Sequence, residues 1–315
     1  MKTRRRRKGT VMRYSFLLTL VILTSAAVAL SHLFSQTPVE HLPEGYDFKR
    51  SSWMAFVPAE AEKVSMLNLT QLFSSTGNYT ILPNNAVIEA YGFETTLTVN
   101  NTLAIVSVYL PGSSPAMESF ILNILKPSES LYRAFAEELE QKAESKLPYL
   151  GQVINQVTVK SLGGPLDSSP RTGYVKASIT LVDGLILYSE GLRGEEALKK
   201  AIQTSVSSPG FFDERDVKAS LYLLNVNSGE IGFSYSTFPG GISAAESTAI
   251  LVRYEGGPVT TRTVYGFNDT YTAVKSLDAV KRTLPGNERP RIVDNYIVAE
   301  AKYGSELLLR EIRSL

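Results

Sequence analysis

YVKASITLVDGLILYSEGL, residues 174–192, is two alternating apolar runs joined by Asp183-Gly184. An Asp-Gly pair supplies the two positive-φ residues that a two-residue hairpin turn needs, so this stretch reads as a tight antiparallel hairpin. The same grammar recurs along the chain. TLTV-NN-TLAIVSVYL, AIVSVYL-PGSSP-AMESFILNIL, SLYLLNV-NSG-EIGFSYSTF and LVRY-EGGP-VTTRTVYGF all read as strand, turn, strand. A largely antiparallel sheet follows.

Amphipathic helices are interleaved with these runs. In SESLYRAFAEELEQKAESK, Leu131, Phe135 and Leu139 recur every fourth residue, Glu138 is placed to meet Lys142, and Glu137, Glu138, Glu140 and Glu144 form a solvated face. GEEALKKAIQTSV gathers Ala197, Leu198, Ala201 and Ile202 on one side, with Glu195–Lys199 and Glu196–Lys200 pairs opposite. TYTAVKSLDAVKRTL aligns Ala273, Val274, Leu277, Val280 and Leu284, and GSELLLREI turns Leu308 and Ile312 inward.

These elements come in the same order twice. AIVSVYLPGS, residues 104–113, resembles AILVRYEGGP, residues 249–258, and LVDGLILYSEGLRGEEALKKAI resembles IVDNYIVAEAKYGSELLLREI. The second copy lacks a stretch between its helix and its last hairpin, where the first carries PYLGQVINQVTVKSLGGPLDSSP. The expected fold is therefore α+β: an N-terminal transmembrane helix followed by a tandemly duplicated, mainly antiparallel sheet with amphipathic helices. The first repeat spans 53–208 and the second, shorter one 209–315.

In front of this body, residues 14–34 carry no charge, and 21 residues at about 1.5 Å each reach roughly 31 Å, enough to cross a bilayer core. Lys2, Arg4, Arg5, Arg6, Arg7, Lys8 and Arg13 precede the run, and the first acidic residue is Glu40. By the positive-inside rule, residues 1–13 form a cytoplasmic tail and the bulk lies outside the membrane. Arg4 to Arg7 suit the anionic cytoplasmic leaflet. The competing reading is a signal peptide cleaved near Ala29, at the small-x-small site Ala27-Val28-Ala29; the apolar run continues past it, which favours retention. Residues 35–52, polar with Pro38, Pro43 and Gly45, read as a stem holding the body off the membrane.

Past residue 34 there are 25 basic against 31 acidic residues, a net charge of −6 that disfavours nucleic acid. The chain has no cysteine, and its two histidines, His32 and His41, both precede the body. Catalytic triads, Cys–His pairs, zinc sites of His or Cys type, haem and iron–sulfur ligation all need side chains that the body lacks. There is no phosphate-cradling glycine loop, no Asp-x-Asp pair, and no aspartate between residues 53 and 166. No metal or cofactor is expected.

Carboxylate chemistry remains open. Asp213 and Asp216, in Asp213-Glu214-Arg215-Asp216, could share acid and base roles in glycoside hydrolysis, and Glu190 ends a hairpin strand before Gly191. The plainer reading of each is a solvated turn or edge-strand charge. Asn-x-Thr sequons at Asn68, Asn78, Asn100 and Asn268 are candidate glycosylation sites. The leading expectation is a membrane-anchored, extracytoplasmic binding or structural module without catalysis, partnered by an envelope protein or by its own copies. The alternative is an extracytoplasmic carboxylate- or Ser/Lys-dependent hydrolase of polysaccharide or peptide.

Overall fold

The computed structural model describes residues 38–77, 82, 86–111, 120–160, 173–207, 209–226, 230–238, 242–254, 256–284 and 289–315. The basic tail, the apolar span 14–34 and Asn78 lie outside them. Among the described residues no helix is long and apolar enough to cross a membrane. Residues Glu40–Leu315 form one compact unit, a mixed α/β body built on a large, mainly antiparallel sheet.

Its strands are β1 (Val39–Glu40), β2 (Lys63–Asn68), β3 (Ala86–Ala90), β4 (Leu97–Thr98), β5 (Thr102–Leu110), β6 (Phe120–Pro127), β7 (Ser145–Tyr149), β8 (Gln152–Lys160), β9 (Tyr174–Val182), β10 (Leu185–Glu190), β11 (Gly232–Ser236), β12 (Ser247–Arg253), β13 (Val259–Gly266), β14 (Arg291–Val293) and β15 (Tyr296–Tyr303). The helices are α1 (Leu69–Thr76), α2 (Glu129–Lys142), α3 (Gly194–Val206), α4 (Arg215–Leu224), α5 (Thr270–Thr283) and α6 (Leu308–Arg313). Across the sheet the order is β14-β15-β13-β12-β11-β2-β5-β6-β10-β9-β8, with β7 and β3 sharing the outer side of β8.

The expected hairpin at Asp183-Gly184 is present, with φ of 49° and 76° at the two turn residues, and β9 pairs β10 from Leu185↔Val182 outward. The PGSSP and EGGP hairpins are present as β5–β6 and β12–β13. One expected hairpin is absent: SLYLLN is not a strand but the end of α4. Val217, Leu221 and Leu224 fall at helical spacing and are all buried, and Asn225 closes the helix in the left-handed region at φ 57°. TLTV also differs from its expected role, since β4 pairs β3 and not β5.

Read outward from the central β2–β11 pair, both directions present the same series. One runs β2, β5, β6, then β10 and β9 after helix α2; the other runs β11, β12, β13, then β15 and β14 after helix α5. The β7–β8 hairpin intervenes in the first direction only. Ser65 pairs with Ser234 at the centre. From Ser65 the ladder steps through Ser107, Asn123 and Tyr188; from Ser234 it steps through Ile250, Thr263 and Ala299. Tyr188 and Ala299 each stand five residues beyond the aspartate of their hairpin, Asp183 and Asp294, and both aspartates have positive φ. The ladders therefore match Ile250 with Ser107, two residues from the Ile105 that sequence similarity suggests. A two-residue slip preserves the buried face, which is why side-chain pattern alone does not detect it.

Helices pack on both faces. On one, α3 and α4 pack over Val106, Leu122, Leu187, Phe233 and Leu251. On the other, α1, α2 and α6 pack over Ile105, Leu125, Ile186 and Val252. Each core draws on both halves of the chain, so the boundary near residue 208 separates no independent cores.

Residues 40–52 do not stand free as a stem. The Asp294 N–H donates to the Glu40 carbonyl at 2.8 Å, and the Leu42 N–H donates to Asp294 Oδ2 at 3.0 Å. Tyr46 packs on Tyr222, and Phe48 on Phe212. The apolar residues Leu42, Tyr46 and Phe48 outweigh the prolines and glycine that suggested a linker: three side chains that can leave water do so.

Candidate functional site

The three carboxylates singled out from sequence are each engaged locally. Asp213 accepts the Gly210 N–H at 2.8 Å and pairs with Arg50 at 2.8 Å. These two contacts, the main-chain one first, hold its carboxyl below the usual carboxylate range. Asp216, in the first turn of α4, accepts a hydrogen bond from the Tyr296 hydroxyl at 2.7 Å. Burial, and then the Asp216 charge, push the Tyr296 phenol up. Glu190, at the end of β10, takes the hydroxyl of buried Tyr188, whose phenol is raised by burial and by that same charge. Between Asp213 and Asp216, Glu214 is raised by burial and by the charge of Asp216.

Beside Asp216, which is itself exposed, lie two buried phenols and a buried serine. Tyr235 on β11, Ser247 on β12 and Tyr296 on β15 face α4 from the sheet, and burial lifts Tyr235 to about 12. Gly266 leaves room there: a Cβ at that position would lie 2.4 Å from Ser247 Oγ. The Tyr296–Asp216 contact ties the N-terminal end of α4 to β15, while Tyr235 bonds Ser247 across the β11–β12 pair. Both buried phenols have partners, Tyr235 in Ser247 and Tyr296 in Asp216, which is the condition for burying them.

A cleft of about 420 Å³ opens at the other end of α4, lined by Phe48, Lys49, Tyr222, Asn225, Arg262 and Arg291 among others. Its arginines are committed: Arg262 to Glu300 at 2.6 Å and Arg291 to Glu40 at 2.6 Å. Among the described residues no group of three or more His, Asp or Glu side chains is placed to hold a metal ion.

The sequence places Glu138 on a solvated face of α2 and within reach of Lys142; the Lys142 pair forms, and the structure adds a second role. It accepts the Glu94 N–H at 2.7 Å, the Thr95 N–H at 2.8 Å and the Thr95 hydroxyl, while Lys142 pairs with it at 2.9 Å. Partial burial alone would raise its pKa, but these hydrogen bonds together bring it down to about 2. The Glu195–Lys199 pair forms at 2.6 Å, whereas Glu196 turns to Arg193 and Lys200 to Glu60. Val274 of α5 is 39% exposed rather than inward.

Lys63 was not a candidate, and no local signal marks it. It lies on β2 opposite Ser236 of β11 and Tyr109 of β5. Burial lowers its pKa, and among the described residues no carboxylate pairs with it. Of the sequons, Asn68 caps α1 by accepting the Gln71 N–H, while Asn100 and Asn268 are exposed, Asn100 in the turn before β5.

No family model matches the chain. No curated protein sequence matches it either. In structure the chain is similar to TP0453: crystal form III at 10% identity and TM-score 0.44, form I at 9% and 0.43, and form IV at 10% and 0.43. Each comparison covers 84% of this chain, and 98–99% of the other.

Proposed function

We propose that the protein is a single-pass, membrane-anchored extracytoplasmic module that binds or organises a partner and performs no chemistry, with a body of two tandem α+β repeats. The observation that carries this reading is the engagement of Asp213, Asp216 and Glu190, each by its own structural partner. A hydrolytic pair instead needs two carboxyls facing one substrate across about 5–10 Å, one of them free to hold a proton. The matched ladder steps from Ser65–Ser234 outward support the duplication, with the β7–β8 hairpin as the stretch that the second repeat lacks.

The membrane placement rests on the uncharged run 14–34 and the seven cations before it. Because the chain has no cysteine, single substitutions report topology cleanly. Val206→Cys, at an exposed position, is expected to react with a membrane-impermeant maleimide in intact cells, and Thr3→Cys to react only after lysis. Labelling of both, or of neither, in intact cells removes the proposal.

A second reading, Ser/Lys-dependent hydrolysis, has one observation in its favour. Lys63 is desolvated and stands opposite Ser236. The Ser236 hydroxyl, however, accepts the Phe238 N–H at 3.0 Å. Hydrolysis of an activated acyl ester that disappears in both Ser236→Ala and Lys63→Met would favour this reading over a binding module.

A further inference from the structure

No residue from Pro38 to Ser52 is buried, whereas Trp53, Met54, Phe56 and Val57 directly after them all are. The chain therefore changes character at one place, Ser51-Ser52, from a strap lying on the body to a piece of its core. Neither core contains a buried residue of the strap; Leu42, Tyr46 and Phe48 only pack against one of them, half-buried. A segment whose every residue keeps contact with water has little burial to oppose its release, and local opening draws on such segments first.

The strap is held by polar contacts at both ends. At its start Glu40 pairs with Arg291 and His41 with Asp294, each at 2.6 Å, beside the two main-chain bonds that Asp294 makes to Glu40 and Leu42. At its end Arg50 pairs with Asp213 at 2.8 Å and donates to the Phe212 carbonyl at 3.4 Å. One member of each ion pair is at least 42% exposed, and pairs in that setting contribute little and are screened by salt. In between, Tyr46 meets Tyr222 at 5.7 Å and Phe48 meets Phe212 at 6.2 Å between ring centroids. The middle of the strap is not pressed home: the cleft of about 420 Å³ has Asp47, Phe48 and Lys49 in one wall and Leu221, Tyr222 and Arg262 in another.

We propose that residues 40–52 are a releasable length of tether. Docked along α4 and β14, the strap keeps the tether short; released, it returns 13 residues to the stem, a contour of up to about 45 Å and a root-mean-square span of roughly 20 Å as a flexible coil. Ser51 is the hinge, extended at φ −100° and ψ 152° just before the buried turn Ser52–Phe56. One segment leaves its seat while the sheet and both cores stay as they are. The binding module thereby works at two reaches. What the tether is tied to rests on the membrane-anchored reading above; the release itself does not.

Because the chain has no cysteine, a pair of spin labels can be placed without background. Nitroxides at Glu44→Cys on the strap and Asp278→Cys on α5, both exposed, report docking by pulsed electron double resonance on the full-length protein in detergent. A docked strap gives one sharp distance and a released strap a broad distribution. Raising salt from 0.1 M to 1 M shortens the screening length from about 10 Å to about 3 Å and is expected to enlarge the broad fraction about threefold or more. Tyr46→Ser, which removes the ring against Tyr222, should enlarge it by about as much at 0.1 M salt, with the thermal unfolding of the body unchanged. One sharp distance in the wild type at 1 M salt overturns the proposal, whatever Y46S shows. A broad distribution alone at 0.1 M salt overturns it too, since the strap would then never dock. So does release that abolishes the cooperative unfolding of the body, which would make the strap part of the core. Release together with failed topology labelling would sink the anchored reading and leave the release standing.

Discussion

Glu138 holds Thr95 at two points, taking both its main-chain N–H and its hydroxyl, and so ties α2 to the loop between β3 and β4. The carboxyl titrates at about 2 in the folded protein, below the usual glutamate value near 4.3. A depressed carboxylate pKa gives stability that is complete above the unfolded value and is lost as pH falls towards the folded one. Stability by urea titration is therefore expected to fall between about pH 5 and pH 2 in the wild type, with a weaker fall in Glu138→Gln. At pH 7 the substitution should cost about 2 kcal/mol, the worth of hydrogen bonds to a charged group. An unchanged pH profile in E138Q would show that other carboxylates control the acid limb.

Tyr296 and Asp216 form the link between β15 and α4. Tyr296→Phe keeps the ring and removes only the donor, so it should cost about 1–2 kcal/mol. Asp216→Asn retains an acceptor oxygen and should cost less than Asp216→Ala. A D216A variant as stable as the wild type would mean that this contact does not hold the helix.

Gly232 has no room for a side chain, since a Cβ would stand 2.4 Å from the Met66 carbonyl oxygen. Gly232→Ala is expected to destabilise by about 1–3 kcal/mol, because main chain on the central strand cannot give way as a flexible side chain can. Amide exchange over α6 should quicken in the same variant, as Leu315 is the other neighbour displaced.

Leu150 begins the β7–β8 turn at φ 48°, before Gly151 at φ 80°. A leucine in the left-handed region is strained and, at 56% exposure, has little burial to offset the strain. Leu150→Asn should raise stability by about 0.5–1 kcal/mol, read as a higher denaturation midpoint. No gain would place the loss elsewhere in the hairpin.

Asp294 fastens the segment that follows the predicted anchor, pairing with His41 at 2.6 Å and accepting the Leu42 N–H. The His41 contact, then the main-chain one, hold its carboxyl below the usual range, so the clasp weakens as pH falls through that lowered value. Asp294→Asn keeps a residue that tolerates positive φ while removing the charge. Faster proteolysis between residues 43 and 50, with the rest of the body intact, is the expected result; unchanged cleavage would mean that Tyr46 and Phe48 suffice to dock the segment.

Local features carried much of this fold into view. Asp183-Gly184 announces a turn because few residue pairs accept two consecutive positive φ values at low cost. The burial of Leu139, Ile202 and Leu277 follows from spacing alone. The segment SLYLLN misled because the same apolar residues satisfy a strand and a helix end. The Lys142 contact of Glu138 is legible from its i, i+4 spacing, whereas its contacts to Glu94 and Thr95 are not, because those residues lie more than forty positions earlier and meet it only through packing.

By itself the amino-acid sequence determined the Asp183-Gly184, PGSSP and EGGP hairpins, the amphipathic helices and the absence of cysteine. Those follow from backbone preferences and from the presence or absence of functional groups, which are properties of short stretches. Tertiary structure alone decided the order of strands across the sheet, the docking of residues 40–52, and the placement of α3 and α6, helices of similar sequence, on opposite faces. An apolar stripe specifies that a helix must be covered, while the neighbours that leave room beside Ser189 or over Gly232 decide where.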